Sequence, residues 1–289
     1  MSRKKREQAA GYSYEDTYTE SVDGLEEKRI RELLERGTIR SVYATKTIKA
    51  GAQFEVEIYP EFTRREVEAY KVKRVNREAQ RNLNDRNARK LCERLINANF
   101  GEGDLWVTLT YEDANLPGSI AEAENNMKNY IKRINYKRRR MGLGNAKYIY
   151  ITEWSGEGKV RCHHHLIIDG ALDMDSIEQT WKKGRRNNVR RVSPDENGLA
   201  GLAQYLTKDP KGKKRWKASR NLKKPEERKS YTRITEKHVR RIVTGKLEVK
   251  DLTERLYKKY IYTREEIRYN AVIGKFYIYV RMRERRQRE

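Results

Sequence analysis

The fold of this chain is decided by the stretch from Ala146 to Ile168, whose sequence is AKYIYITEWSGEGKVRCHHHLII. Two runs rich in β-branched and aromatic residues flank the polar segment SGEGK, which has the composition of a turn. The stretch therefore predicts two antiparallel strands joined as a hairpin. Alternate side chains of a strand share a face, so His163 and His165 point one way and His164 the other.

The neighbouring segments extend this hairpin into a sheet. Residues 104–111 (DLWVTLTY) form an apolar alternating run, and residues 188–193 (NVRRVS) form a shorter one. Ser119 and Glu122 make a capping box that begins a helix. The order β-α-β-β-α-β-α predicts an α+β fold with a ferredoxin-like (RRM-like) antiparallel sheet and helices on one face.

The rest of the chain is predicted to add two flanking regions. The four predicted parts are a mobile tail with a short helix (1–36), an N-terminal hairpin and long basic helix (37–99), the sheet domain (100–215) and a basic C-terminal extension that ends in a strand (216–289).

The charge balance indicates the class of partner. The 289 residues include 66 Lys and Arg against 42 Asp and Glu, a formal net charge of +24. Such a surface attracts polyanions, and we favour nucleic acid over an acidic membrane face, with a merely solvated surface as the alternative. No run approaches the ~20 apolar residues of a membrane span. Cys92 and Cys162 make no disulfide framework, so we expect a reducing cytoplasm.

The histidine strand suggests a metal site. Two imidazoles at i and i+2 project from one face about 7 Å apart at their Cα atoms, which suits two ligands of one ion. The hairpin places Glu153 across from His163 and His165. This donor set leaves coordination positions open, and the carboxylate with a phosphate substrate favours Mg²⁺ or Mn²⁺, with Zn²⁺ less favoured. In the alternative, the histidines only form hydrogen bonds, which is our interpretation of His164.

Tyr205 and Lys208 lie at i and i+3 of a predicted helix and therefore share a face. A phenol attacks a phosphodiester well only when a nearby cation stabilises the developing charge. A surface tyrosine beside a solvated lysine is the simpler alternative for this pair taken alone.

Three motifs occur together in one order: WVTLTY at 106–111, HHHLII at 163–168 and YLTK at 205–208. On these motifs, over about residues 100–215, the chain resembles the single-tyrosine HUH endonucleases, the rolling-circle replication initiators of phages, plasmids and mobile elements. Relatives with two nucleophilic tyrosines carry the second one four residues away, where this chain has Gly201. The chain departs from the family at His164, where a hydrophobic residue is usual.

The resemblance implies an HUH endonuclease fold and a metal-dependent, site-specific cleavage of single-stranded or hairpin origin DNA. Tyr205 is then the nucleophile, Lys208 supports it, and Glu153 stands where many relatives carry a third metal ligand. Cleavage leaves a 3′-OH and a 5′-phosphotyrosine, and strand transfer rejoins the ends. No nucleotide cofactor is expected, and a host helicase and polymerase are expected partners, in the cytoplasm of a bacterial or phage-infected cell.

Two alternatives remain open from the sequence. A conjugative relaxase or a transposase uses the same chemistry, although relaxases often place the tyrosine near the N-terminus, ahead of the histidines. A non-catalytic nucleic-acid-binding protein with a degenerate site is the other alternative. The presence of all three ligand residues, the tyrosine and the lysine argues against such decay.

Basic segments are predicted to hold the DNA backbone, since each phosphate contact makes binding salt-dependent. The candidates are Arg138, Arg139, Arg140, Arg185, Arg186, Arg190, Lys213, Lys214, Arg215 and Arg220. Trp216, with Tyr136 and Trp181, is a candidate for stacking on unpaired bases. A solvated charged face and core aromatics are the alternative for each of them.

Overall fold

A computed structural model describes residues 20–21, 26, 28–29, 32, 42–61, 77–154, 161–207, 216–270 and 274–285, with the backbone alone at 20–21 and 77–86. The chain divides into two compact units, one of residues 1–84 and 225–289 and the other of residues 85–224. The tail and short helix expected at 1–36 fall almost entirely outside the described residues. The four-part organisation expected from the sequence stays a prediction.

The strands in chain order are β1 (Glu20–Ser21), β2 (Val42–Ala50), β3 (Gln53–Glu61), β4 (Leu105–Thr110), β5 (Tyr148–Glu153), β6 (His163–Ile168), β7 (Asn188–Arg191), β8 (Trp216–Ala218), β9 (Glu226–Ser230), β10 (Tyr260–Asn270) and β11 (Lys275–Glu284). The α-helices are α1 (Arg77–Asn99), α2 (Ile120–Arg140), α3 (Met174–Thr180), α4 (Ala200–Leu206), α5 (Glu236–Val243) and α6 (Val249–Leu256).

The described residues of unit 85–224 form an antiparallel five-stranded sheet in the order β7-β4-β6-β5-β8. One face carries Leu105, Val107 and Leu109 of β4, which pack against apolar side chains of α2 and α3. The opposite face carries Trp106 and Ile167 and packs against α1 and α4. The predicted α+β class with an open antiparallel sheet is confirmed, and helices also cover the face that carries the site.

The helices of this unit begin where local chemistry allows. The Ser119 hydroxyl accepts a hydrogen bond from the Glu122 amide at 3.2 Å and caps α2, as the capping box predicts. Within α2, Ala123, Met127 and Tyr130 are buried at three- and four-residue spacing, so one stripe of the helix faces the core. The helix thereby anchors the sheet face opposite the candidate site.

The described residues of the other unit form an antiparallel six-stranded sheet in the order β1-β10-β11-β3-β2-β9. The predicted N-terminal hairpin is β2–β3, which turns at Gly51 with a φ of 60°, and the predicted terminal strand is β11. β3 pairs with β11, so the segments before and after unit 85–224 form one sheet. Apolar side chains of α5 and α6 cover one face of this sheet.

Among the described residues, no helix combines the length and the apolar character that a membrane crossing requires.

Candidate active site

The β5–β6 hairpin brings Glu153, His163 and His165 together at one end of the sheet. Glu153 is the direct cross-strand partner of His163. The Nε2 atom of His163 lies 3.5 Å from Glu153 Oε2, and the Nε2 atom of His165 lies 3.7 Å from Glu153 Oε1. One ligand atom from each residue lies within 4.8 Å of the others. The strand alternation predicted this grouping, and its geometry suits a single ion.

His165 presents an unused nitrogen to the cluster. Its Nδ1 atom lies 3.1 Å from the Thr108 hydroxyl, while its buried Nε2 has no hydrogen-bond partner. Burial and, second, the nearby His163 lower the pKa of His165 to about 4. The ring is therefore neutral near pH 7, and with the proton on Nδ1 its Nε2 lone pair is available to a cation. A buried nitrogen without a partner is costly unless something binds it.

His163 has its tautomer set by the backbone. Its Nδ1 atom lies 2.8 Å from the carbonyl oxygen of Arg161, which can only accept, so Nδ1 carries the proton. The Nε2 lone pair consequently faces Glu153. Two imidazole nitrogens and a carboxylate form a donor set that fits Mn²⁺, Mg²⁺ or Zn²⁺ and leaves positions open for substrate oxygens.

His164 lies on the opposite face, as strand alternation predicts. Its Nε2 atom lies 2.8 Å from the Tyr111 hydroxyl and its Nδ1 atom 2.9 Å from the Thr152 hydroxyl. Burial raises the pKa of Tyr111, so the phenol keeps its proton and donates it to Nε2. Burial lowers the pKa of His164 to about 3. Both of its nitrogens are thus engaged inside the domain, away from Glu153.

Tyr205 on α4 lies beside the cluster and is 45% exposed. Its ring meets that of His165 edge-on at a centroid distance of 4.7 Å, and that of Trp106 edge-on at 5.9 Å. Trp106 in turn stacks on His165 at 5.7 Å. The phenol is therefore held against one ligand residue while it remains accessible to a large substrate. Lys208 lies outside the described residues.

The candidate DNA-binding side chains divide by exposure. Arg139, Arg140, Arg185, Arg186, Arg190 and Arg220 are exposed, whereas Lys213, Lys214 and Arg215 lie outside the described residues. Arg190 pairs with Trp106 across β7 and β4, which places it on the face that carries the histidine cluster. A role in DNA contact stays a prediction for all of these residues.

Three of the expected contacts have a structural role instead. Arg138 is buried, and its guanidinium bonds the Asp169 carboxylate at 2.5 Å and the Gly144 carbonyl at 2.7 Å. Trp181 is buried and donates its indole N–H to the Thr110 carbonyl at 2.6 Å. Trp216 is only 5% exposed, which leaves little of its ring for stacking on a base, whereas Tyr136 is 57% exposed.

Sequence reasoning missed two neighbours of the ligand cluster. Thr108 is the cross-strand partner of His165, and Trp106 lies two residues earlier on the same face. Both belong to the WVTLTY run, in which parity alone places Trp106, Thr108 and Thr110 on one face. What could not be read locally is the register that sets this face beside the histidines.

A comparison with family models identifies the central part of the chain. Residues 104–210 match the family of the replication-associated protein ORF2. The match covers somewhat more than a third of the chain and contains all three motifs. It confirms the resemblance to rolling-circle replication initiators for this region, and it gives the region a replication-associated role on DNA. No curated protein and no solved structure gives a significant match.

Proposed function

We propose that this chain is a rolling-circle replication initiator that nicks and rejoins single-stranded origin DNA through a phosphotyrosine at Tyr205. The observation that carries the proposal is the exposed Tyr205 ring, 4.7 Å from the ring of His165, whose buried Nε2 lacks a hydrogen-bond partner. The match to a replication-associated family supports DNA as the substrate.

The reaction is a transfer of one phosphoryl group between two oxygens. The phenolic oxygen of Tyr205 forms a bond to phosphorus as the bond to the 3′-oxygen breaks, and the phenolic proton ends on that oxygen. The products are a free 3′-OH and a 5′-phosphotyrosine. Rejoining is the reverse exchange, in which a 3′-OH attacks the phosphotyrosine and the proton returns to the phenol, so no nucleotide cofactor is consumed.

Each residue of the cluster has a distinct task. Glu153, His163 and His165 would hold a divalent cation, which supplies polarisation of a phosphoryl oxygen when bound. Trp106 and His165 restrict the Tyr205 ring by edge-on contacts, so less conformational freedom is lost when it meets the phosphate. We propose that Lys208, one turn along the helix, stabilises the phenolate as it forms.

Incubation of the protein with an end-labelled origin strand and Mn²⁺, followed by denaturing electrophoresis, tests the proposal. We expect a covalent adduct with the wild-type chain and with Tyr136→Phe, an exposed tyrosine on α2, but none with Tyr205→Phe. Added EDTA should abolish the adduct while the circular dichroism spectrum is unchanged. An adduct of normal yield from Tyr205→Phe, or none from the wild type with its own origin, would refute the nuclease proposal.

The same experiment separates the chain from a passive DNA-binding protein. Removal of the imidazole in His165→Ala should eliminate the adduct but preserve retention of the labelled strand in a native gel, because phosphate contacts rather than the metal dominate affinity. Loss of both in a folded His165→Ala variant would show that the cluster supports binding and not cleavage.

A further inference from the structure

A second feature lies at the same end of the sheet as the histidine cluster. Between α3 and β7 runs the segment 182–187, KKGRRN, which we call the basic loop. It carries four cationic side chains in six residues and no acidic one. Basic runs on surfaces are often only solvated, so its meaning depends on whether it is held in place.

The basic loop is held to the end of β4 by the backbone. The Thr110 hydroxyl donates to the Arg186 carbonyl at 2.8 Å, and the Thr110 amide donates to Asn187 Oδ1 at 3.1 Å. The Glu112 amide donates to the Lys183 carbonyl at 2.9 Å. These bonds leave the cationic side chains free to project while the backbone that carries them is ordered.

Gly184 allows the basic loop to approach β4 this closely. A Cβ atom at Gly184 would lie 2.2 Å from the Thr110 carbonyl oxygen and 2.7 Å from its carbon. Both are backbone atoms of a strand in the middle of the sheet, so they cannot move aside cheaply. Asn187 donates to the Gly184 carbonyl at 3.1 Å and closes the loop on itself. The contact thus depends on glycine at this position.

The position of the anchor ties the basic loop to the site. Thr110 is the direct cross-strand partner of His163. In the order β7-β4-β6, the loop that enters β7 is two strands from His163, about 10 Å by the usual strand spacing. A DNA strand whose phosphate reaches Tyr205 therefore passes within reach of long cationic side chains on this loop.

The charges of the basic loop are largely unneutralised. Arg185, whose side chain is 91% exposed, forms an ion pair with Glu112 at 3.0 Å. Within the part of the chain that the structure describes, Lys182, Lys183 and Arg186 have no acidic partner. Exposed cations without a counter-charge, fixed beside a phosphate-cleaving site, match the chemistry of a phosphodiester backbone.

We propose that the basic loop is a preformed binding site for the phosphodiester backbone of single-stranded DNA, next to the bond that Tyr205 cleaves. The inference rests on the proposed function for its substrate. Because the loop is ordered before DNA arrives, binding loses less conformational entropy than it would with a mobile basic tail. Gly184 and Thr110 are positioning residues of this site, whereas Arg186 and Lys182 make the contact.

Gly184→Ala provides the sharpest test, because it changes no charge. Affinity for a fluorescent single-stranded oligonucleotide is measured by anisotropy with the full chain in EDTA at several salt concentrations. We expect Gly184→Ala to weaken binding at least fivefold and Gly101→Ala, where a Cβ meets nothing within 4 Å, to leave it unchanged. Equal affinities for these two variants, both folded by circular dichroism, would overturn the proposal.

A pair of charge-removing variants covers the case in which Gly184→Ala does not fold. Arg186→Ala should weaken binding and reduce the salt slope by about 0.7, the value for one phosphate contact on a single strand. Lys128→Ala removes one exposed positive charge from α2, on the opposite side of the sheet, and should leave the slope nearly unchanged. Equal slopes for the two variants would contradict the proposal, as would a loss seen only with duplex DNA.

The two proposals fail in different measurements. Binding in EDTA does not require cleavage, so a wild-type chain without adduct formation refutes the nuclease and leaves the comparison of loop variants intact. Conversely, a normal adduct together with unchanged binding by Gly184→Ala and Arg186→Ala refutes the basic loop alone.

Discussion

At the scale of single residues, the two histidines of the cluster are oriented by different means. A main-chain carbonyl fixes His163, and no side-chain substitution removes it. His165 depends on the hydroxyl of Thr108, 3.1 Å from its Nδ1. A second partner of this kind holds the ring orientation and the tautomer of a metal ligand. The weaker support of the pair is therefore the one that mutation can reach.

Thr108→Val should lower Mn²⁺ affinity by 10- to 100-fold, the usual effect of removing a partner behind a metal ligand. Isothermal titration calorimetry measures it directly. Thr152→Val is the matched control, because it removes the same kind of bond from His164, which faces away from Glu153. Both variants should lose about 1 kcal/mol of stability. Equal Mn²⁺ affinities for the two would show that Thr108 only stabilises the fold.

The buried histidines predict how stability depends on pH. Burial lowers the pKa of His164 to about 3 and that of His165 to about 4, from an ordinary value of 6.5. Between pH 6.5 and about 4, the unfolded chain binds protons at both sites and the folded chain does not. The free energy of unfolding should therefore decrease as the pH falls through this window, by up to about 1.4 kcal/mol per pH unit for each group.

Urea unfolding in EDTA at pH 7.5, 6 and 5 measures this dependence. His164→Asn should be less stable at every pH but should show a smaller decrease on acidification, since one titrating group is gone. A decrease as large as that of the wild type would mean that His164 does not contribute to the acid sensitivity.

At the scale of elements, the C-terminal end of α2 is tied to the end of β6 by a buried ion pair. Arg138 is 7% and Asp169 18% exposed, and Asp169 also accepts from the Lys147 amide at 2.5 Å. Arg138→Ala should destabilise the chain by about 3 kcal/mol, because it leaves a largely buried carboxylate without its partner. Arg139→Ala, one residue on and exposed, should change stability by less than about 0.5 kcal/mol.

Chemical denaturation of the two variants checks the expected difference. Their affinities for single-stranded DNA provide the complementary reading. If Arg138→Ala retained full stability and lost DNA affinity instead, the guanidinium would have to leave Asp169 to reach the phosphate backbone.

Elements with a clear local signal could be predicted from the sequence. The β5–β6 hairpin follows from alternation around SGEGK, and α2 follows from its capping box at Ser119. β9 (EERKS) has no apolar alternation, because it is an edge strand held through backbone bonds to β2. In β10, a register shift between Tyr262 and Arg264 interrupts the pattern, which hid the strand from a period-two search.

The candidate site divides in the same way. Glu153, His163 and His165 lie on one hairpin, so local parity was sufficient to group them. The contacts of Trp106, Thr108 and Tyr205 with His165 depend on how β4 and α4 pack against that hairpin. Such tertiary contacts have no local signature, and only the family resemblance indicated Tyr205 in advance.

At the scale of the whole molecule, the chain interrupts one unit with another. The β2–β3 hairpin pairs with β11 near the C-terminal end, and residues 85–224 form the intervening unit. Each unit has its own hydrophobic core, one around Val56, Ile278 and Val280 and the other around Leu109, Tyr130 and Leu166. Two separate cores allow two separate unfolding transitions, even though the polypeptide passes between the units twice.

Ile278→Ala and Leu109→Ala each remove a fully buried aliphatic side chain from one of these cores. Each should destabilise its own unit by about 2–5 kcal/mol, because the lost transfer energy and the cavity add. In calorimetric scans, Ile278→Ala should lower one transition, and Leu109→Ala should lower the transition that Mn²⁺ raises, since the cluster lies in unit 85–224. A single transition that both substitutions lower equally would show that the cores unfold together, and binding of an ion at Glu153 would then stabilise the whole chain.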